Sequence, residues 1–77
     1  MDYTAVKSSS IHEVGYDSET KTLGITFKNG RTYEYDDVHP VHYDELLKAE
    51  SAGKYFHSNV RNVFQTRPVE REQVQEK

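Results

Sequence analysis

The sequence predicts an α+β domain in which a three-stranded antiparallel β-meander precedes two helices packed on one face of the sheet. Apolar residues alternate with small or polar residues in segments between positions 11 and 35, and a period of two is typical of strands. Apolar residues three and four positions apart between 40 and 64 are typical of amphipathic helices. The 77 residues are enough for one domain and too few for two.

The first strand is predicted over residues 11–16, where Val14 and Tyr16 alternate with polar or small neighbours. Residues 17–20, Asp-Ser-Glu-Thr, have the composition of a turn and lead into the second strand. The segment before the first strand is polar and is interpreted as a loop. We assign residues 1–7 to a lead-in that precedes the domain.

The clearest local feature is a β-hairpin around residues 29–30, an Asn-Gly pair that tolerates the positive φ angles of tight turns. A two-residue turn would put Tyr33 and Tyr35 on the face opposite the apolar residues of segment 23–27, as an aromatic platform. A three-residue loop over 28–30 would put both tyrosines on the same face as those apolar residues. We favour the three-residue loop, because a small domain needs the apolar area for its core.

Two helices are predicted in the second half of the chain. Pro40 suits the first helical position, where its missing N–H costs no hydrogen bond, and Gly53 is a residue type that ends helices. A second, shorter helix is predicted over residues 55–64 from its amphipathic spacing. Residues 65–77 have no aromatic side chain and mixed charges, which predicts a disordered tail. The predicted domain therefore covers residues 8–64.

Composition excludes several classes of site. The chain has no cysteine, so disulfides, thiolate metal sites and thiol catalysis are excluded. No segment approaches the roughly 20 apolar residues of a membrane span, and the first residues lack the pattern of a signal sequence. We therefore expect a soluble, cytoplasmic protein. The net charge of −3 argues weakly against general affinity for nucleic acids.

Catalytic and metal chemistry are not expected. The adjacent carboxylates of Asp36 and Asp37 point to opposite sides of a strand, and no glycine-rich phosphate loop is present. One group of residues resembles a metal-binding cluster in composition: Asp36, Asp37, His39, His42 and Asp44. A proline and a helix start separate its two histidines, which disfavours shared coordination geometry. We predict a non-enzymatic protein with no metal and no cofactor.

Short motifs along the predicted domain share their order and spacing with a known family. They are Ser9-Ser10-Ile11, Gly15-Tyr16-Asp17, Leu23-x-Ile25-x-Phe27, Tyr33-Glu34-Tyr35, Leu46-Leu47 and Gly53-Lys54-Tyr55-Phe56. In this series the chain resembles the KTSC domain, named after the C-terminal region of some lysyl-tRNA synthetases and also found as small stand-alone bacterial and phage proteins. The chain departs from the family at His39, because a valine followed directly by proline is more typical there.

The resemblance implies a single KTSC-like domain with Tyr33-x-Tyr35 as its central motif, and its synthetase context suggests RNA binding. Exposed tyrosines at these positions would stack on unpaired bases. Lys54, His57 and Arg61 lie at i, i+3 and i+7 of the second predicted helix and would line a phosphate track. In the three-residue hairpin register, the two tyrosines are instead core residues with their hydroxyls at the rim.

The alternative function is a protein-interaction domain. Its acidic surface would contain Asp36, Asp37, Asp44 and Glu45, which would meet a basic partner. An exposed edge of the predicted sheet would offer a second mode of contact, including an edge-strand dimer. The family resemblance favours RNA and the net charge favours a protein partner, so both functions remain open at this stage.

Overall fold

The computed structural model describes residues 1–70, which form a five-stranded antiparallel sheet with both helices on one face. The elements in chain order are β1 (Tyr3–Ala5), β2 (Ile11–Asp17), β3 (Thr22–Phe27), β4 (Thr32–Tyr35), α1 (Pro40–Lys48), α2 (Ala52–Asn59) and β5 (Thr66–Val69). The strands are ordered β1-β2-β3-β4-β5 in the sheet. The α+β class and the order of meander and helices are confirmed, whereas the predicted count of three strands is wrong. Neither helix within residues 1–70 has the length and hydropathy to cross a membrane.

The hairpin between β3 and β4 has the three-residue loop that we favoured. Ile25 lies opposite Tyr33 in the register of the two strands. The N–H of Phe27 donates to the carbonyl oxygen of Arg31 at 2.8 Å, which closes the loop. Gly30 has a φ angle of +92°, in the region that favours glycine. Both tyrosines of β4 therefore share the face of the sheet that the helices cover.

The hydrophobic core lies between this face and the two helices. It consists of buried side chains from both layers: Ile11, Val14, Leu23, Ile25, Tyr35, Val38, Leu46, Ala52, Phe56 and Val60. Leu46 is the buried residue of α1 and Phe56 is the largest buried residue of α2. Full burial of such a side chain stabilises the fold by about 1.5–3 kcal/mol. Five of the ten core residues belong to β2–β4 and five to residues 38–60, so both layers contribute to the stability of the domain.

His39 is the N-cap of α1, which gives its insertion before the proline a physical role. Its backbone is extended, and its Nδ1 atom accepts a hydrogen bond of 3.1 Å from the N–H of Val41. Pro40 then occupies the first helical position, as predicted. On the other side of the cap, Val38 is fully buried and its carbonyl oxygen accepts a hydrogen bond from the Tyr16 hydroxyl. The His39 side chain therefore fixes the helix side of the junction between β4 and α1, and the hydrogen bond from Tyr16 fixes its strand side.

The second helix differs from its predicted bounds. It covers Ala52–Asn59 rather than residues 55–64, and Ser51 is its N-cap. Gly53 lies inside this helix and does not end the first one, which terminates at Lys48. A Cβ atom on Gly53 would come within 2.8 Å of Ser10 Oγ, so the absence of a side chain permits close contact with the loop before β2. Close packing, not helix termination, explains this glycine.

Strand β1 occupies part of the predicted lead-in. Tyr3 lies opposite Gly15 in the register with β2. A Cβ atom on the neighbouring Gly24 would lie 2.8 Å from the Cζ atom of Tyr3, so the phenol ring fills the space over this glycine. Only one residue of β1 is partly buried, which is why the segment has no alternating hydrophobic pattern. The glycines of the central strands create the site for β1.

Strand β5 occupies part of the predicted tail, at the other edge of the sheet. It pairs with β4, where Arg67 lies opposite Glu34. Three of its four residues are exposed, so it lacks the alternation by which strands are recognised in a sequence. Pro68 is compatible with this position, because an edge strand leaves its outer N–H groups unpaired. The rest of the predicted tail, residues 71–77, lies outside the described residues.

Candidate functional site

A cleft of about 330 Å³ opens at one end of the core, between the hairpin and the C-terminal end of α2. Eight residues line it: Phe27, Tyr33, Tyr35, Phe56, His57, Arg61, Asn62 and Thr66. Four of the five residues predicted to bind nucleic acid belong to this set. The fifth, Lys54, is exposed at the start of α2 and does not line the cleft. The structure therefore divides the predicted basic track into a cleft part and a separate lysine.

The walls of the cleft are aromatic rings that pack edge to face. The ring centroids of Phe27 and Tyr33 are 5.9 Å apart, and those of Phe27 and Phe56 are 5.5 Å apart. Phe27 and Tyr33 are half-buried, whereas Tyr35 is only 5% exposed and packs against Phe56. Because the three-residue hairpin places both tyrosines on the core face, Tyr35 supports the wall and Tyr33 presents ring surface to the cleft.

The rim of the cleft carries one cation, Arg61, beside His57. His57 and Arg61 are exposed and lie one helical turn apart, and a guanidinium nitrogen of Arg61 is 3.2 Å from Nδ1 of His57. The α-helix ends just before Arg61, and the carbonyl oxygen of Phe56 accepts hydrogen bonds from the N–H groups of both Val60 and Arg61. Asn62 then turns the chain with a φ angle of +65°. Arg61 therefore lies just past the end of the helix, whereas His57 lies in its last turn.

Burial keeps Tyr35 neutral over a wide pH range. Its removal from solvent raises the pKa of the phenol, and a hydrogen bond with the Thr66 side chain and the charge of Arg61 offset part of that rise. Tyr35 therefore contributes a neutral hydroxyl beside Thr66, whose own hydroxyl donates to the carbonyl oxygen of Glu34. The contact links the inner wall of the cleft to strand β5.

The four predicted acidic residues do not form one uniform surface. The carboxylate of Asp36 is ion-paired with Arg67, which also contacts Glu34 at 2.8 Å. Asp37 has a φ angle of +58° and begins the turn towards α1. Asp44 and Glu45 lie exposed on α1, and the charge of Glu45 adds to the effect of burial that raises the pKa of Tyr55. The structure thus separates Asp36 from the two carboxylates on α1.

The histidines of the metal-like cluster have other contacts. His39 accepts the capping hydrogen bond of α1, and Nδ1 of His42 lies 3.0 Å from the Tyr55 hydroxyl. Among residues 1–70, no group of three or more histidines and carboxylates is arranged to hold a metal ion.

Sequence reasoning missed half of the cleft. Phe27 and Phe56 were predicted as apolar residues of the core, and each in fact contributes to both the core region and the cleft. Asn62 and Thr66 had no assigned role. The position of Phe27 at the end of β3, next to the hairpin loop, is the one sequence signal for its location at an open end of the core.

Comparisons with known proteins identify relatives of most of the chain. The family model of the KTSC domain matches residues 7–64. A protein of Tsukamurella paurometabola is 41% identical over 59 residues, which cover 77% of this chain and 88% of that protein. A lysine–tRNA ligase of Trichormus variabilis is 40% identical over 58 residues, which cover 75% of this chain and 10% of the ligase.

The fold also has a counterpart among solved structures. The crystal structure of a KTSC domain protein from Yersinia pestis matches with a TM-score of 0.84 and 30% sequence identity, over 90% of this chain and 97% of that one. The family match over residues 7–64 contains every cleft residue except Thr66. Strands β1 and β5 lie outside it.

Proposed function

This chain belongs to the KTSC domain family, and we propose that it is a non-enzymatic module that binds single-stranded RNA in the cleft between the hairpin and α2. The observation that carries the proposal is the combination of half-buried aromatic rings, Phe27 and Tyr33, with a rim where the cation Arg61 lies beside His57. Proteins that bind single strands combine these two features, because every base has a flat face and every nucleotide a phosphate.

The dimensions of the cleft suit one unpaired nucleotide. Its volume of about 330 Å³ lies at the lower end of the roughly 300–1,000 Å³ typical of small-ligand pockets. A base placed against Tyr33 would gain about 1–3 kcal/mol from stacking. The guanidinium of Arg61 would then contact the adjoining phosphate, for which its planar set of donors is suited. Tyr35 would hold the wall and make no stacking contact itself, since it is only 5% exposed.

The choice of RNA among single-stranded ligands is supported by the relatives. One relative is by name a lysine–tRNA ligase, and the region shared with this chain is a tenth of that enzyme. A domain of this kind attached to a tRNA ligase would add contacts to RNA without taking part in aminoacylation. For the present chain we propose the same class of ligand and action in the cytoplasm.

The cleft chemistry favours binding over catalysis. The candidate acid–base group in the rim is His57, and its Nδ1 faces the guanidinium of Arg61. A nucleophile paired with such a base is needed for covalent catalysis. In the part of the cleft that the structure describes, the hydroxyl of Thr66 instead donates to the carbonyl oxygen of Glu34. These contacts hold a surface in place and do not activate a nucleophile.

The proposal is tested by titrating a fluorescent single-stranded RNA octamer with the wild type, Tyr33→Ala and Arg61→Gln at two salt concentrations. Tyr33→Ala is expected to weaken binding about 5- to 150-fold, the equivalent of one stacked base. Arg61→Gln is expected to reduce the slope of log affinity against log salt by about 0.7, the value for one phosphate contact to a single strand. Thermal melting of each variant checks that it is folded.

Lys54→Gln is the matched control, because it removes a positive charge from α2, seven positions before Arg61 and outside the cleft. Its affinity for RNA is expected to stay within about twofold of the wild type, since a surface charge that makes no phosphate contact changes binding little. Equal losses in Lys54→Gln and Arg61→Gln would show a diffuse electrostatic track instead of a cleft. A folded wild type that does not bind RNA would overturn the proposal.

A protein partner is the second candidate function, favoured by the net charge of −3 and by the exposed carboxylates of Asp37, Asp44 and Glu45. A basic peptide such as oligolysine is the probe for this surface. The double variant Asp44→Asn/Glu45→Gln is expected to abolish salt-sensitive oligolysine binding without changing the RNA titration. Retention of RNA binding in this variant, together with its loss in Tyr33→Ala, separates the two candidates.

A further inference from the structure

Strand β5 is held on the edge of β4 mainly by its backbone and one arginine. Three of its four residues are exposed and none is fully buried. Just before the strand, the N–H of Asp36 donates to the carbonyl oxygen of Gln65 at 2.9 Å. The hydroxyl of Thr66 donates to the carbonyl oxygen of Glu34 at 3.0 Å. A segment that lies on the sheet in this way resembles a docked peptide more than a core strand.

Two carboxylates at the edge of β4 bind the guanidinium of Arg67. Glu34 and Asp36 are two positions apart, so they project from the same side of the chain. One guanidinium nitrogen of Arg67 lies 2.8 Å from a carboxylate oxygen of Glu34, and the other contacts Asp36. The hydrogen bond with Asp36, together with the charges of both carboxylates, raises the pKa of Arg67. A planar guanidinium shared between two carboxylates is a geometry that lysine does not reproduce.

The proline beside the arginine also fits the site. Pro68 lies opposite Tyr33 in the register of the two strands. A proline is tolerated there because the strand is at the edge of the sheet and needs no further hydrogen bonds on its outer side. The sequence Thr66-Arg67-Pro68 therefore matches three features of the edge, namely a carbonyl acceptor, a carboxylate pair and an aromatic neighbour.

The contacts that hold β5 are of a kind that exchanges readily. The Arg67 side chain is 48% exposed, and Asp36 is 41% exposed. Ion pairs at this exposure are screened by salt and water. Strand β5 also lies outside the region matched by the family model, residues 7–64. The edge of β4 is thus a site that the chain itself occupies with a segment whose side-chain contacts are exposed to solvent.

We propose that the edge of β4 is a binding site for an extended peptide of another protein, which carries arginine between a hydroxyl residue and a proline. Such a peptide adds a strand to the sheet, with backbone bonds to β4 and its arginine on Glu34 and Asp36. Strand β5 is the occupant of the site in the free protein, so a partner must displace it. Occupancy by β5 lowers the apparent affinity by the fraction of molecules in which the edge is open.

This site borders the RNA cleft, and the proposal does not depend on RNA binding. The two sites share Tyr33 and Thr66, which line the cleft. The carboxylates that bind the arginine belong to Glu34 and Asp36, whereas the cation at the rim of the cleft is Arg61. Failure of the RNA titration would therefore leave the peptide site intact, and failure of the peptide experiment would leave the cleft intact.

The experiment uses the full chain with Arg67→Glu, which places like charges between β5 and β4 and opens the edge. The probe is a fluorescent synthetic peptide with the sequence of residues 64–70, Phe-Gln-Thr-Arg-Pro-Val-Glu. This peptide is expected to bind Arg67→Glu at least tenfold more tightly than the wild type, because β5 no longer competes. Amide hydrogen exchange of β5 is expected to speed up in the variant, and a melting curve verifies the fold.

A charge-reversed pair provides the matched control. A second peptide with glutamate in place of the arginine is expected not to bind Arg67→Glu, and to bind a chain that carries Glu34→Lys and Asp36→Lys. If Arg67→Glu does not fold, Arg67→Ala takes its place in the same titration, with a smaller expected gain. Recovery of binding in the charge-reversed pair would assign the specificity to the two carboxylates.

Three results would overturn the proposal. The first is a folded Arg67→Glu chain, with unprotected β5 amides, that fails to bind the arginine peptide. The second is equal binding of the arginine and glutamate peptides, which would show contact without recognition of the arginine. The third is concentration-dependent dimerisation of Arg67→Glu, because a second copy of this chain would then fill the edge instead of another protein.

Discussion

The central strands and the edge strands of this sheet are held by different kinds of contact. In β3, five of the six residues are buried, and Leu23 and Ile25 have no exposed surface. In β1 and β5 no residue is fully buried. The centre is held by hydrophobic packing against the helices. One edge is held by a tyrosine over a glycine and the other by an arginine between two carboxylates.

This difference indicates where the protein is stable and where it is adaptable. Buried apolar area is insensitive to salt and is lost only on unfolding, whereas exposed ion pairs and edge hydrogen bonds open locally. Strand β4 lies between the hydrophobically packed centre of the sheet and the edge that ion pairs and hydrogen bonds hold. Its Tyr33 faces the aromatic cleft, and its Glu34 faces the arginine of β5. Both proposed binding sites are therefore attached to a rigid strand at the margin of the core.

The largest effect is expected from a cavity in the centre. Leu23→Ala removes a fully buried side chain and is expected to lower the free energy of unfolding by about 2–5 kcal/mol. Chemical denaturation followed by circular dichroism measures the change. Leu47→Ala is the matched control, because Leu47 is 41% exposed and its truncation should cost less than about 0.5 kcal/mol. Similar losses in both variants would contradict a core centred on β3.

The next effect tests the contact between the centre and β1. Gly24→Ala places a Cβ atom against the phenol of Tyr3, and such overpacking is expected to cost about 1–3 kcal/mol. In a Tyr3→Ala background, the same substitution should cost much less, because the obstructing ring is absent. A double-mutant cycle measured by denaturation gives the coupling. An equal cost in both backgrounds would locate the strain in β3 itself rather than at the edge.

A smaller effect is expected at the junction of β4 and α1. His39→Ala removes the side-chain acceptor for the N–H of Val41 and is expected to lower the free energy of unfolding by about 0.5–1 kcal/mol. His39→Asp is expected to raise it by a few tenths, because a carboxylate caps the helix and also suits the positive end of its dipole. Urea titrations of the three proteins provide the comparison. A stabilising His39→Ala would exclude the capping role.

The smallest global effect is expected at the other edge. Arg67→Ala should leave the midpoint of thermal unfolding nearly unchanged, because the ion pairs of Arg67 are exposed. It should accelerate amide exchange in β5 while β3 remains protected. High salt should have the same local effect on the wild type, since it screens the same charges. Equal acceleration in β3 and β5 would show that the sheet opens as one unit and has no separable edge.

Local features of the sequence predicted the hairpin and its register. Asn29 and Gly30 required a tight turn, and the alternation of Leu23 and Ile25 required a buried face. The apolar area that a small core needs then selected the three-residue loop, and the structure has that loop. The helix start at Pro40 was likewise predicted, because it depends on the chemistry of one residue and its neighbours.

Features that depend on contacts distant in the sequence were not predicted. Gly53 resembled a helix terminator, but it lies inside α2 because the serine loop before β2 packs against it. The cleft was only half predicted, because Thr66 reaches it through the pairing of β5 with β4. Neither arrangement leaves a periodic pattern in the sequence.

The sequence by itself therefore determined the meander, its hairpin and the presence of two helices, because buried faces and turns impose patterns on neighbouring residues. It favoured one hairpin register over another, and the tertiary structure has the favoured one. The tertiary structure decided the two edge strands, the bounds of α2 and the composition of the cleft. An edge strand such as β5 gains its stability from a partner strand some 30 positions away, as Arg67 does from Glu34. A strand without a buried face has no alternation of apolar and polar residues in its sequence. Its pairing in the folded sheet is therefore needed to identify it.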